Sequence, residues 1–231
     1  MSQQPNNKYE QNLRNEKMKY LLPYLTPGIK ILDIGGGDGS CWNSVDIRYT
    51  VDLLDFDYEL TSDSNYYRNI FLADINEYSI SSKCAKYDAV CLMGILEHVD
   101  DPVSLLKAAG NCSDFIFITV PNAESFHRVL GVRLGFINNV FDLDEQDIRI
   151  GHQRVYSKLT LYKDIISSEI PFMIKDFGTS SFKFNTSSYM EQFNDTQIDA
   201  INKTSVLSGI SGYDRFSGAE LFAVLKRYDY E

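Results

Sequence analysis

An α/β fold built on a doubly wound, mostly parallel sheet is what this sequence predicts, and three observations carry the prediction. The first is residues 31–40, ILDIGGGDGS, where Ile31, Leu32 and Ile34 flank a single acid and a glycine cluster follows at once. Such a stretch reads as a buried strand entering a turn whose backbone meets a ligand. The second is the pair of apolar runs at residues 89–93 and 115–120, AVCLM and FIFITV, the continuous kind that a parallel sheet buries on both faces. The third is the helix expected between them, opened near Pro102 and carrying Leu105, Leu106, Ala108 and Ala109.

The 231 residues suit one domain spanning 1–231 with a generous core. With 44% hydrophobic and 23% charged residues the chain is of globular composition. A formal net charge of −10 and the lack of any Lys/Arg block argue against a nucleic-acid partner. Cys41, Cys84, Cys91 and Cys112 form no C-x-x-C pair, which suits a reducing compartment. The polar N-terminal stretch lacks a secretory core, and no apolar run approaches the roughly 18 residues of a membrane span. A cytoplasmic protein without a membrane span is the expectation.

In chain order, residues 1–8 are expected to be disordered. A helix over residues 9–24 follows from the spacing of Leu13, Met18, Leu21 and Leu22, and Pro23 with Pro27-Gly28 closes it. The first strand leads into the glycine turn. Residues 41–48 leave room for only a short helix, because Tyr49, Thr50 and Val51 already begin a second strand that ends in the acids Asp52, Asp55 and Asp57. One carboxylate at such a strand end can accept hydrogen bonds from both hydroxyls of a ribose. Asp55, after Leu53-Leu54, is the first choice, and Asp52 fits if the strand stops sooner. Residues 70–73 make a short third strand ending at Asp74-Ile75. The fourth and fifth strands are the two apolar runs. Residues 126–150 read as a mixed helical insert, residues 159–169 as a further helix, and extended structure resumes after Pro171 and again at residues 219–227. Residues 181–213 form an insert without a clear assignment.

The glycine spacing bears on the ligand. A dinucleotide site wants G-x-G-x-x-G, and here its third glycine position is Ser40. The pattern present, Asp33-x-Gly35-x-Gly37-x-Gly39, resembles the first motif of class I S-adenosylmethionine-dependent methyltransferases. Residues 96–102, LEHVDDP, resemble the LEHVxDP segment that follows the fourth strand in small-molecule members, including those of ubiquinone biosynthesis. Residues 151–157, GHQRVYS, resemble the GHxRxYT segment of the same branch. The resemblance spans roughly residues 29–170. It implies a Rossmann-like, seven-stranded sheet with an antiparallel final strand, and a helical lid over the acceptor at residues 122–157.

It also implies S-adenosyl-L-methionine as cofactor. Asp33 with Gly35, Gly36, Gly37 and Gly39 would hold its amino-acid end and ribose, with Asp55 or Asp52 on the ribose diol. Asp74 would meet the adenine amino group and Ile75 the ring, while Met93 and Gly94 close the set at the end of the fourth strand. The expected partner is a small-molecule or saccharide acceptor.

In-line methyl transfer asks chiefly for donor and acceptor held in near-attack geometry, and a hydroxyl acceptor gains from a general base. The chain has three histidines, His98, His127 and His152, all in segments expected beside the pocket. His152 is the favoured base, and His127 beside Arg128 is suited equally to an anionic acceptor. Glu97-His98 is similar to part of the metal site suspected in quinone methyltransferases, but the sequence shows no further convincing ligand set, so no metal is expected. Two other readings remain at this stage: a nicotinamide-dependent oxidoreductase, which leaves LEHVDDP unexplained, and a catalytically silent cofactor-binding protein of the same fold.

Overall fold

The computed structural model describes residues 8–45, 49–57, 59, 65–75, 86–181, 183, 193–194, 196–197 and 218–228. Seven strands form one sheet: β1 (Lys30–Ile34), β2 (Thr50–Asp55), β3 (Asn69–Leu72), β4 (Ala89–Met93), β5 (Phe115–Pro121), β6 (Phe172–Ser180) and β7 (Glu220–Arg227). Their order is β3-β2-β1-β4-β5-β7-β6. Strands β1 to β5 pair in parallel, and β7 runs antiparallel to both β5 and β6. The expected mostly parallel sheet with an antiparallel last strand is therefore present.

Burial follows the apolar runs. Val90, Cys91, Leu92, Ile116 and Ile118 are wholly enclosed because helices cover both faces of the sheet. On one face lie α2 (Pro102–Cys112) and α5 (Lys158–Ser167), contributing Leu105, Leu106, Leu161 and Ile165 to the core. On the other lie α1 (Lys8–Leu21) and a 3-10 turn (Ser40–Ser44), contributing Met18, Leu21 and Trp42. Asp101 caps α2 by accepting the Ser104 amide at 3.0 Å, with Pro102 placed where its missing N–H is no loss. A reciprocal Ser157–Thr160 box starts α5.

Two short helices, α3 (Phe126–Arg133) and α4 (Glu145–Arg149), make up the helical insert. The short helix expected after the glycine turn is a single 3-10 turn, because β2 begins only six residues after Ser44. Of residues 1–8, only Lys8 is described, and it opens α1. Apart from Ser181, Lys183 and residues 193–194 and 196–197, the insert assigned to 181–213 lies outside the described residues. Among the described residues no helix is long and apolar enough to cross a membrane.

The strand order reverses direction between β1 and β4. In a doubly wound sheet the connections leave opposite faces there and open a crevice at the carboxyl ends of the strands, which is where such folds bind ligands.

Candidate active site

A cavity of about 710 Å³ occupies that crevice. The loop after β1 lines it through Gly35, Gly36 and Gly37, the end of β2 through Leu54 and Asp55, the residues after β3 through Ala73, Asp74 and Ile75, and β4 through Met93 and Gly94. Four successive strand ends thus converge on one space.

The loop is shaped by its glycines for two different reasons. Gly35, Gly37 and Gly39 take positive φ of 72°, 57° and 73°, a region costly for residues with a Cβ. Gly36 instead lies so close to its neighbours that a Cβ would stand 2.3 Å from Asp33 Oδ2 and 2.4 Å from the Tyr67 hydroxyl. The loop is tied to β2 by the Gly35 amide, which donates to the Leu54 carbonyl at 2.8 Å, and by the Gly37 amide, which donates to Asp55 Oδ2 at 3.0 Å.

Three of the expected cofactor residues are placed elsewhere. Asp33 is fully enclosed beneath the loop, where Oδ2 accepts the Trp42 indole N–H at 2.8 Å and the Tyr67 hydroxyl at 3.0 Å. It fixes the turn from below and does not line the cavity. Asp52 is mid-strand and buried, held by a two-pronged contact from Arg68 and by bonds from Asn69 and Tyr87. Burial alone would raise its carboxyl, yet those donors hold it below the ordinary range. Its acceptor capacity serves the β2–β3 edge, which leaves Asp55, at the end of β2, and Asp57, just beyond it, as the acids of this cluster that line the cavity. Gly39 precedes the 3-10 turn and stands outside the lining.

Asp33 gives a measurable signature. Burial pushes its carboxyl up to about 6, against the Trp42 and Tyr67 bonds that favour the ionised form. An unfolded aspartate titrates near pH ~3.9, so the stabilisation from this group is complete below that pH and is lost as pH rises through about 6. The loss is on the order of 3 kcal/mol. Urea denaturation between pH 4 and 7 should show Asp33→Asn, which cannot titrate, free of this decline; a stability difference from wild type that stays constant across the window would contradict it.

Glu97, His98 and His152 also line the cavity. Residues 151–156 are laced onto the loop after β4. The Gln153 amide donates to the Glu97 carbonyl at 2.8 Å, its side-chain amide reaches the His98 carbonyl at 2.8 Å, and Arg154 donates to the Leu96 and Val99 carbonyls at 3.1 and 2.6 Å. This lacing brings the His98 and His152 rings edge to face, with centroids 4.7 Å apart.

Each ring is anchored through Nδ1. His98 Nδ1 lies 3.2 Å from the Gly151 carbonyl, and His152 Nδ1 lies 3.0 Å from Asp147 Oδ1. A carbonyl and a carboxylate only accept, so Nδ1 carries the hydrogen in both and the neutral rings keep their lone pairs on Nε2. Asp147 is itself fixed by Arg128 at 3.0 Å and by the Asp144 amide at 3.1 Å. Burial would raise the Asp147 carboxyl, but His152, Asp144 and Arg128 hold it well below the usual range. Burial, then the neighbouring His152, lowers His98.

Glu97 is buried, and burial pushes its carboxyl up to about 7 despite the pull of its own amide, His152 and Lys17. Its Oε1 lies 3.9 Å from His152 Nε2, while its Oε2 has no hydrogen-bond partner among the described residues. One donor atom from each of Glu97, His98 and His152 lies within 4.8 Å of the others. The structure thus brings His152 beside Glu97 and His98, a proximity that the sequence did not show.

His127 is corrected as well. It is half-buried in the insert, driven well below its ordinary range by desolvation and by Lys183 and Arg128, and it does not line the cavity. Of residues 122–157, Ile150, Gly151 and His152 border the cavity, whereas α3 and α4 stand outside its lining. Two residues that sequence reasoning missed do line it: Lys17 on α1 and Glu220 on β7, paired at 2.9 Å. Lys17 had no signal to set it apart from Lys19, and Glu220 read as an ordinary strand residue.

These features can be set beside known proteins. A family model described as a methyltransferase domain matches residues 7–164. No curated protein matches the chain. Among solved structures, a S-adenosylmethionine-dependent methyltransferase from Archaeoglobus fulgidus is similar at a TM-score of 0.59 and 17% identity, over 96% of this chain and 97% of that one. Magnesium protoporphyrin IX methyltransferase from Synechocystis, solved with S-adenosylhomocysteine, is similar at 0.60 and 13% identity, over 99% of this chain and 90% of that one. The plantazolicin methyltransferase, also solved with S-adenosylhomocysteine, is similar at 0.58 and 17% identity, over 96% of this chain and 86% of that one. At these identities the structures establish a common fold. The family match covers more than half of the sequence, and on that ground the chain belongs to the methyltransferase domain family.

Proposed function

We propose that this protein binds S-adenosylmethionine in the crevice at the strand ends and methylates a small-molecule or saccharide acceptor seated at Glu97, His98 and His152. The observation that carries the reading is Asp55, which closes β2, holds the Gly37 amide and faces the same cavity as the bare loop. The residues present fit the cofactor. No atom lies within 4 Å of where a Cβ on Gly37 would stand, so main chain is open to a ligand there. Lys17 offers a cation to the cofactor's carboxylate, Asp55 offers lone pairs to a diol, and Ala73 and Ile75 offer an apolar wall beside Asp74 for the base.

When bound, S-adenosylmethionine supplies a methyl carbon on a sulfonium, open to in-line attack. The chain contributes position and proton handling. His152, its Nδ1 hydrogen committed to Asp147, turns an unprotonated Nε2 towards the cavity and takes the proton that an acceptor hydroxyl sheds as its oxygen joins the methyl carbon. Arg128 and Asp147 keep that ring from turning over.

Titration calorimetry tests the reading against a nicotinamide enzyme of related topology. The expected result is one equivalent of S-adenosylmethionine bound and no heat from NADH. Binding of NADH alone, or of neither, overturns it.

A further inference from the structure

We infer that Glu97 and Glu220 hold the ammonium group of an amino alcohol acceptor, so that its neighbouring hydroxyl meets His152. The inference rests on the proposed methyl transfer and names an acceptor class for it. Its first support is a pair of orphaned oxygens. Glu97 and Glu220 both line the cavity, and the Oε2 of each is enclosed without a hydrogen-bond partner among the described residues. Glu97 is only 3% exposed. A buried carboxylate oxygen left unbonded is costly, so each calls for a donor from the cavity side.

Separate elements bring the two acids together. Glu97 follows β4, whereas Glu220 opens β7 and pairs in register with Pro121 at the end of β5. Because β7 runs antiparallel to β5, its first residue stands at the carboxyl ends of the parallel strands. Lys17 of α1 reaches Glu220 Oε1 at 2.9 Å. Burial raises the Glu97 carboxyl most, Glu220 raises it further, and Lys17 opposes both, so the three side chains act on one another. Two of them are acids and one is a base, and a ligand cation balances the group. A primary ammonium brings three N–H donors and no acceptor, which suits two orphaned carboxylate oxygens; a hydroxyl brings one donor and no charge.

His152 sets what the rest of the acceptor must carry. Its Nε2 lies 3.9 Å from Glu97 Oε1. A hydroxyl donating to that nitrogen and an ammonium donating to that carboxylate therefore sit on neighbouring carbons, as they do in amino sugars. Carboxylates on two sides keep the nitrogen protonated and without a lone pair, so it is not the nucleophile. The hydroxyl gives its proton to His152 Nε2 and its oxygen bonds the methyl carbon, while the carbon–sulfur bond breaks and leaves its electron pair on sulfur. The product is a methyl ether whose amine is untouched. S-adenosylmethionine carries an ammonium of its own, but Glu220 stands beside β5, one strand beyond the strand ends assigned to the cofactor.

The test uses full-length protein saturated with S-adenosylhomocysteine and titrated with matched probes: glucosamine against glucose, galactosamine against galactose, and ethanolamine against ethylene glycol. At least one amine should bind about 10- to 100-fold tighter than its hydroxyl twin, as hydrogen bonds to a charged acceptor predict. Glu97→Gln and Glu220→Gln should each remove most of that preference. Circular dichroism of both should match wild type, and their S-adenosylmethionine affinity should change less than about threefold. Equal binding within every pair, or a preference retained in both variants, overturns the inference. Lost S-adenosylmethionine affinity in both variants also overturns it, by giving these carboxylates to the cofactor's own ammonium. Wild-type S-adenosylmethionine binding, measured without probe, separates the two levels: where it is intact, equal binding within every pair fells this inference alone, and where it is missing both readings fall.

Discussion

Gly37→Val is expected to lower S-adenosylmethionine affinity by at least ~100-fold, which corresponds to about 2.7 kcal/mol. Two effects add. At a φ of 57° a side chain meets the following carbonyl, a strain of about 1–2 kcal/mol that is worse for a β-branched residue. The valine side chain then projects from a cavity-lining position into space that no protein atom occupies within 4 Å, where the ligand should lie. Gly28 provides the control. It has a φ of 89°, also has nothing within 4 Å, and stands outside the cavity lining. Gly28→Val carries comparable backbone strain and should change affinity by less than about threefold. Calorimetry on the two variants separates strain from occlusion, and equal affinities for Gly37→Val and wild type would remove the loop from the binding site.

Strand positions were the most legible part of the chain. The runs at 89–93 and 115–120 are too apolar for anything but a sheet buried on both faces, and β4 and β5 begin where those runs begin. The glycine turn was legible as a turn, but the partners of its acid were not. Asp33 reads as a ligand group because it adjoins the loop, yet Trp42 lies nine residues on and Tyr67 lies 34 residues on, and only the fold brings both indole and phenol to its oxygen. Asp52 was misplaced for the same reason, since Arg68 and Tyr87, 16 and 35 residues distant, claim it.

The histidines show where local reading ends. His127 and His152 both lie in the stretch between β5 and α5, and nothing in their neighbours tells which one turns inward. Arg128 decides it: its guanidinium reaches Asp147 and the Val140 carbonyl, folding the insert back on itself. Asp147 then holds His152 at the cavity, while His127 stays half-buried in the insert, outside the cavity lining. The approach of His152 to Glu97 and His98 depends on backbone lacing across more than 50 residues, from Gln153 to Glu97 and His98. Sequence spacing carries no trace of such a contact, and that is why the grouping of His152 with Glu97 and His98 was invisible before the structure.

The second large effect belongs to Asp55. Its carboxylate already accepts the amides of Gly37 and Asp57, each at 3.0 Å, and each oxygen keeps a lone pair for the cavity. Hydrogen bonds from a diol to a charged acceptor contribute about 1.5–3 kcal/mol each, so Asp55→Ala removes two of them and frees the loop amide as well. A loss of about 100- to 10,000-fold in cofactor affinity follows. Asp52→Asn, by contrast, weakens the tie to Arg68 and lowers stability but touches nothing in the cavity.

Whether main chain at the glycine turn and the carboxylate at the tip of β2 together grip S-adenosylmethionine is decided most directly by titrating that ligand into Asp55→Ala and Asp52→Asn side by side. The account predicts that Asp55→Ala loses at least ~100-fold in affinity while Asp52→Asn binds as wild type does. Undiminished binding by Asp55→Ala, or a loss confined to Asp52→Asn, would contradict it.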